Sequence, residues 1–378
     1  MAKSSDSKHI YYNASLTNPY FTSATSGITS QPIPISFSTN FNQPLLKKSD
    51  DYSMSIIKFN LPGQLIPIFI FPDPSKPLIF PPFKVSINYN DNFFTTTVIY
   101  ISSTFLSPSD PTYYYVYSYQ LFIEMINYAI QTSYRSMVIA NPGFAGNYAP
   151  YLIYDPSTEL ISICYETSIW ATINETGGSA ALYFNTALYN FFQSFSTNFF
   201  YSGLSLSPAI NDSWYVFNVY SNGGNSISSL SPPGYLYYSA RPPNIAGVQM
   251  FQEYPCLYAW NQAIGVVITS SLLPIKYEYY PANQSTSIGA PNFRPVISDY
   301  NLTTSNGPDI RTRIVYNPTA EYRWVDLIST NPLSQLDFQI YWVDTFLNFT
   351  PVYLSPGQNF TMKFLFQSKY KDNDDESK

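Results

Sequence analysis

Ten of the 24 acidic residues stand singly between hydrophobic segments, and their side chains are the best candidates for chemistry in this sequence. Two carboxyl groups can share acid and base work on one substrate, as in glycoside hydrolysis, when the fold holds them about 5–10 Å apart. The ten lie on predicted turns and strand ends: Glu124, Glu159, Glu166, Asp212, Glu253, Asp309, Glu321, Asp326, Asp337 and Asp344. Because they are scattered, structural carboxylates are favoured over a catalytic pair.

Other catalytic and metal-binding patterns are missing from the sequence. The one histidine, His9, lies in a polar N-terminal segment, whereas a catalytic triad or a zinc site needs histidines held rigidly beside their partners. Cys164 and Cys256 have no metal or redox spacing, so they form either a disulfide or, as we favour, two free buried thiols. Phosphate-binding glycine motifs are also absent. We therefore expect no catalytic residue, no metal and no cofactor.

Charge is sparse and does not favour nucleic acid as a partner of the folded body. The 18 Lys and Arg residues form no basic stripe, which phosphate binding needs. Lys3, Lys8, Lys47 and Lys48 could contact an anion, although the flexibility of the arm is the simpler explanation of these lysines. The acidic C-terminal residues Asp372, Asp374, Asp375 and Glu376 lack the glycine-centred loop of an EF-hand. They predict a solvated tail.

Composition favours a folded chain with much covered surface. Charged residues make up 11 % and aromatic residues 18 %, with 36 Tyr and 28 Phe, whereas about 25 % charge is usual. The surface is therefore either polar through uncharged side chains or covered by partners, and tyrosine is enriched in such interfaces. A compositional bias of the genome would explain the same numbers. The sequence shows no signal peptide and no apolar run of about 18 residues, as a membrane-spanning helix needs.

Alternating apolar and polar residues predict many short antiparallel strands. Residues 83–89 and 94–100 flank an Asn-Asp-Asn turn and predict a hairpin, and 338–342 and 360–366 alternate in the same way. Further candidates are 52–59, 65–71, 151–154, 159–166, 214–220, 264–270, 275–280, 311–316, 321–327 and 349–354. Two apolar stripes with helical spacing predict short helices near 119–134 and 186–196, the second with Asn185 as its N-cap.

These elements predict an all-β jelly-roll sandwich with insertions and two short helices, with two jelly rolls as the alternative. We expect an extended N-terminal arm over residues 1–45 that includes the first strand and becomes ordered on a partner. Residues 46–368 form the body, and residues 369–378 form an acidic disordered tail.

The order of the segments resembles a known family of virus proteins. Residues 51–62 with 66–71, the helix in 117–130, and the segments 183–192, 311–326 and 336–342 are similar to penton or minor capsid proteins of polinton-like viruses and virophages. The resemblance covers most of residues 10–367. It implies a jelly-roll capsid subunit, and for a penton a homopentamer at the fivefold vertex among capsomers of a major capsid protein. It supplies no catalytic residues.

We therefore expect a non-enzymatic structural virion protein of an icosahedral capsid, assembled inside the host cell through contacts with itself and with the major capsid protein. One alternative is a major or another minor jelly-roll capsid subunit. A second is a carbohydrate-binding attachment β-sandwich, in which exposed aromatic rings stack on sugars. An enzyme that uses carboxylate side chains for catalysis is the least favoured hypothesis.

Overall fold

The computed structural model divides the chain into two compact units. The discontinuous unit comprises Met1–Pro67 and Gln262–Lys378, and the inserted unit comprises Ile68–Asn261. The structure describes residues 9–19, 32–63, 66–71, 82–101, 115–144, 146, 148–166, 170, 180–201, 213–218, 225–227, 247–256, 260, 263–280, 292–302, 313–316, 323–344 and 347–369.

The discontinuous unit is built from strands and one short 3-10 helix, Ser49–Asp51. Its strands are β1 (His9–Thr17), β2 (Ile33–Pro34), β3 (Ser36–Asn40), β4 (Tyr52–Pro62), β16 (Ala263–Thr269), β17 (Glu278–Tyr280), β18 (Asn292–Arg294), β19 (Val296–Asn301), β20 (Arg313–Tyr316), β21 (Val325–Asp326), β22 (Gln335–Asp344), β23 (Phe349–Pro351), β24 (Tyr353–Leu354) and β25 (Asn359–Ser368).

The strands of this unit pair in jelly-roll order. One sheet runs β1-β25-β4-β20, with β21 on β4, and the other runs β19-β16-β22-β23, with β3 also on β22. If the eight principal strands β1, β3, β4, β16, β19, β20, β22 and β25 are counted from 1 to 8, the sheets read 1-8-3-6 and 2-7-4-5. This is the two-sheet, eight-strand arrangement of a jelly roll. The predicted jelly-roll sandwich is confirmed.

Aromatic side chains fill the space between the two sheets. Phe338 of β22 stacks on Phe37 of β3 at 5.1 Å between ring centroids. It also contacts Phe360 and Phe364 of β25 at 5.8 and 5.7 Å. Such pairs add to the free energy gained by burying the rings. The alternation seen in the sequence of β25 therefore places its aromatic face inward.

The inserted unit combines short strands with one long helix. Its elements are β5 (Phe69–Ile70), β6 (Lys84–Tyr89), β7 (Asn92–Thr97), β8 (Tyr115–Val116), α1 (Tyr119–Ala140), β9 (Tyr151–Asp155), β10 (Leu160–Glu166), β11 (Ala180–Asn185), α2 (Thr186–Tyr189), β12 (Thr197–Tyr201), β13 (Ser213–Phe217), β14 (Asn225–Ile227) and β15 (Gly247–Phe251). Its sheets run β12-β13-β11-β6-β7 and β14-β15-β10-β9. These orders differ from that of a jelly roll.

Helix α1 and Trp260 occupy the core of the inserted unit. The ring of Trp260 is fully buried, lies 4.9 Å from that of Phe122 on α1, and donates a 2.8 Å hydrogen bond from Nε1 to the carbonyl of Phe191. Asn127 of α1 accepts a 2.7 Å hydrogen bond from the amide of Leu152 and donates one of 2.9 Å to its carbonyl. A side chain of helix α1 therefore satisfies both backbone hydrogen-bonding groups of Leu152 on β9.

The two helices differ in length from the prediction. Helix α1 runs on to Ala140, and its apolar residue Met137 is fully buried. Helix α2 spans four residues instead of eleven, because tight turns follow it. Asn185 is its N-cap as predicted and accepts a hydrogen bond from the amide of Leu188 at 3.2 Å.

The N-terminal arm pairs within its own chain. Residues His9–Thr17 form antiparallel strand β1, which pairs with β25 from Asn359 to Gln367. The first strand expected within the arm is therefore β1, whose backbone pairs with the C-terminal strand. That the arm becomes ordered on a partner stays a prediction. The body expected over residues 46–368 is shared between the two units. Residues 370–378 of the tail lie outside the described residues.

Candidate assembly surfaces

The structure spreads the candidate carboxylates over several elements, with only Asp337 and Asp344 on the same one among the described residues. Glu124 lies on α1, Glu159 in the turn before β10, Glu166 on β10, Glu253 after β15, Asp326 on β21, and Asp337 and Asp344 on β22. Asp212, Asp309 and Glu321 lie outside the described residues. Within the described ranges, no three His, Cys, Asp or Glu side chains form a group able to hold a metal ion.

Asp337 is a buried carboxylate that holds a turn. It accepts hydrogen bonds from the amides of Ser271 and Leu272 at 3.0 and 2.9 Å, and from the hydroxyls of Ser270 and Ser271. Burial alone would raise its pKa, but these hydrogen bonds outweigh burial and lower the pKa below its usual value. With so many donors attached, Asp337 fixes the turn after β16.

Two further carboxylates, Asp344 and Glu124, lie in different surroundings. Asp344 is 1 % exposed and accepts 2.8 Å hydrogen bonds from both the amide and the side-chain nitrogen of Asn348. These contacts close the turn in which Leu347 adopts a positive φ of 62°. Glu124 is partly buried on α1, and burial raises its pKa to about 7.

Cys164 and Cys256 lie in the inserted unit, and His9 lies in the discontinuous unit. Cys164 and Cys256 are free and buried, so the favoured alternative of free thiols is confirmed. Burial raises the pKa of the Cys164 thiol to about 12, which keeps it protonated. His9 is exposed at the start of β1.

Four exposed apolar side chains of the discontinuous unit lie in two neighbouring chain segments. The loop surface consists of residues that are 40–63 % exposed, namely Leu272, Tyr277, Trp324 and Ile328. They belong to the chain segment after β16 and to the segment that contains β21. The amide of Ile328 donates a 2.8 Å hydrogen bond to the carbonyl of Pro274, so the two segments lie side by side.

Charge and hydrogen bonding hold this loop surface in place. Arg323 forms ion pairs with Glu278 and with Asp299, and Ile275 and Leu327 pair as an antiparallel bridge. Asp337 fixes the turn that carries Leu272. A rigid display of large apolar side chains is typical of a surface that packs against another protein.

The inserted unit has an aromatic edge of its own, formed by Tyr189, Phe199 and Tyr215. The rings of Tyr189 and Tyr215 stack at 3.9 Å, and Phe199 meets Tyr215 edge-on at 5.2 Å. Phe199 is 58 % exposed and lies on β12, at the edge of its sheet. Alternation in the sequence could not reveal which rings reach solvent, so neither this edge nor the loop surface was predicted by residue.

A family model for the Sputnik minor capsid protein V18/19 matches residues 10–368. The chain belongs to this family. It is thus a structural capsid protein of the virion, as the sequence predicts.

Relatives of the family show how far the similarity extends. Structural protein V19 of Sputnik virophage is 29 % identical over 218 residues, which cover 57 % of this chain and 93 % of V19. The uncharacterized protein V18 of the same virophage is 26 % identical over 122 residues, covering 28 % and 73 %. The predicted resemblance to virophage capsid proteins is confirmed.

Two solved structures extend the similarity over nearly the whole chain. A chain of the 3.5 Å cryo-electron microscopy structure of the Sputnik virophage superposes with a TM-score of 0.68 at 25 % identity, covering 96 % of this chain and 98 % of that one. The crystal structure of the mavirus penton protein gives a TM-score of 0.63 at 16 % identity, covering 95 % and 99 %. The similarity to the mavirus penton protein shows a shared fold. Among the described residues, no helix is long and apolar enough to cross a membrane.

Proposed function

We propose that this capsid protein is the subunit of a homopentameric penton at the fivefold vertices, packed among capsomers of the major capsid protein. The observation that carries this proposal is the jelly-roll strand order of the discontinuous unit, in a chain that aligns almost end to end with the mavirus penton protein. A ring closes when one side of each subunit fits the other side of its neighbour with the right rotation.

The chemistry of the described residues supports a structural role without catalysis. The buried carboxylates Asp337 and Asp344 hold turns, and the exposed apolar side chains of the loop surface offer contact area instead of a reaction site. Large apolar and aromatic side chains are the usual anchors of such contacts. We assign the loop surface to contacts with neighbouring capsid proteins and propose no enzymatic activity and no nucleic-acid contact for the folded body.

Native mass spectrometry of the purified protein tests the oligomeric state. The chain has a mass of 42.9 kDa, so a pentamer is expected near five times that value. Electron microscopy of particles that contain this chain tests the position, and its density is expected at the fivefold vertices. A monomer at every concentration, together with density only at other positions, would overturn the proposal.

A further inference from the structure

Two lysines lie directly opposite each other on the β1-β25-β4-β20 sheet. Lys58 of β4 and Lys363 of β25 are register partners. Their neighbours Phe59 and Phe364 contact rings of the second sheet, at 4.7 and 5.7 Å between centroids. Since successive side chains of a strand point to opposite faces, both lysines are on the outer face of their sheet. We call Lys58 and Lys363 the lysine pair.

The charges of the lysine pair are not neutralised within the part of the chain that the structure describes. Like charges that face each other across neighbouring strands destabilise a sheet. The Lys363 ammonium group lies 4.8 Å from the centre of the Tyr11 ring, but no described carboxylate forms a salt bridge with either lysine. Just after β25, by contrast, Lys369 pairs with Asp326 at 3.3 Å. The outer face therefore favours an anion at the lysine pair.

The same chain carries a complementary acidic segment shortly after β25. This acidic segment is residues 372–376, Asp-Asn-Asp-Asp-Glu. It is joined to the strand that holds Lys363, and a short flexible linker gives a tethered group an effective concentration of about 1 mM. Exposed ion pairs are weak, so a free acidic peptide would bind the lysine pair poorly. Tethering favours the acids of the same chain over any acids in solution.

The chain is long enough for the acidic segment to reach the lysine pair of its own subunit. Lys369 is held in place by a 2.9 Å hydrogen bond from its amide to the carbonyl of Asp51. From Lys369 back to Lys363 is six residues of strand, or about 20 Å at roughly 3.3 Å per residue. The seven residues from Lys369 to Glu376 span up to about 24 Å. If the chain reverses direction beside β25, Asp375 and Glu376 therefore come within reach of the lysine pair.

We propose that the acidic segment folds back over the outer face of the sheet and neutralises the lysine pair of its own chain. The segment then covers part of this face in the isolated subunit, and a partner that packs there must displace it. The contact is screened by salt, because the charges lie at the surface. It does not depend on the oligomeric state, so it stands apart from the proposed penton.

Zero-length crosslinking of the full-length protein tests the contact, because a carbodiimide joins an amine to a carboxylate only where the two groups touch. Peptide mass spectrometry at low salt is expected to find Lys58 or Lys363 joined to the acidic segment. The yield should fall about fivefold at about 1 M salt, where the Debye length is only about 3 Å. Crosslinks from the segment to other lysines alone, or no crosslink, would overturn the proposal.

Co-expression of two variants distinguishes a contact within one chain from a contact between copies. One copy carries Lys58→Gln/Lys363→Gln and keeps the acidic segment. The other copy keeps the lysine pair and has Asn or Gln in place of the four acids. Neither copy can form the contact within its own chain, so the crosslink should disappear. If it persists, a neighbouring copy supplies the acids and the proposal is wrong.

Thermal unfolding measures what the contact contributes to stability. Replacing the four acids by Asn and Gln should lower Tm by about 2 °C at low salt, since exposed ion pairs contribute little, and should have no effect at about 1 M salt. In the Lys58→Gln/Lys363→Gln background the same replacement should leave Tm unchanged. In the control background Arg135→Gln/Lys276→Gln, which removes two charges from other exposed positions, it should act as in the wild type. An equal effect in both backgrounds would contradict the contact.

Discussion

Replacing Asp337 by Asn removes the charge that holds the turn after β16. In the wild type, the carboxylate accepts hydrogen bonds from Ser271 and Leu272 amides and from two serine hydroxyls. The asparagine side chain has the same size, but its N–H group would point at one of these donors, where the carboxylate accepts a hydrogen bond. Hydrogen bonds to a buried charge are worth about 1.5–3 kcal/mol each, so we expect a loss of about 3 kcal/mol in the free energy of unfolding.

The expected shift in melting temperature follows from the size of the unit. A change of 1 kcal/mol shifts Tm by about 2–4 °C in domains of 150–250 residues, so Asp337→Asn should lower Tm by roughly 6–12 °C. The pKa of Asp337 lies below its usual value in the folded protein. The stabilisation is therefore present above the unfolded pKa of about 3.9 and is lost as pH falls through the folded pKa. The difference in stability between wild type and variant should therefore begin to shrink below about pH 4 and vanish once the pH is below the folded pKa.

Urea unfolding followed by circular dichroism, at pH 7 and at pH 3, measures both effects. The matched control is Asp326→Asn, because the Asp326 side chain is 65 % exposed and its ion pair with Lys369 contributes less than about 1 kcal/mol. If Asp337→Asn unfolds within 1 kcal/mol of wild type at pH 7, or if the gap persists unchanged at pH 3, the structural role argued for this carboxylate is wrong.

Three further predictions concern the core, the surface and the thiols. Asn127→Leu should lower the free energy of unfolding by about 2–4 kcal/mol, because it leaves the buried amide and carbonyl of Leu152 without partners; urea unfolding measures it. Leu272→Ser should change Tm by less than about 2 °C, since the side chain is exposed, yet weaken the oligomer in sedimentation velocity. Cys164 and Cys256 should react slowly with a thiol reagent in the native protein and fully in urea, because burial protects both; fast native labelling would contradict their placement.

Local patterns in the sequence determined most of the strands and the start of each helix. Alternation fixes which face of β25 is buried, and the helical stripe with its polar N-cap marks where α1 and α2 begin, because these signals lie within a few neighbouring residues. The ends of the two helices were predicted less well than their starts. The helical pattern weakens after Tyr134, and the burial of Met137 depends on residues distant in the sequence.

Only the tertiary structure decided which segments pair over long distances. Local sequence does not predict the register of His9 with Gln367. Nor does it predict the insertion of Ile68–Asn261 between β4 and β16, since the segments that flank a domain insertion need no special composition. The tertiary structure also decided which polar and charged side chains lie together. The sequence presents Asp337 as one scattered acid among ten and Lys58 and Lys363 as unrelated residues. Pairing of β4 with β25 sets the two lysines face to face, and packing of β22 beside the turn after β16 turns Asp337 into its anchor.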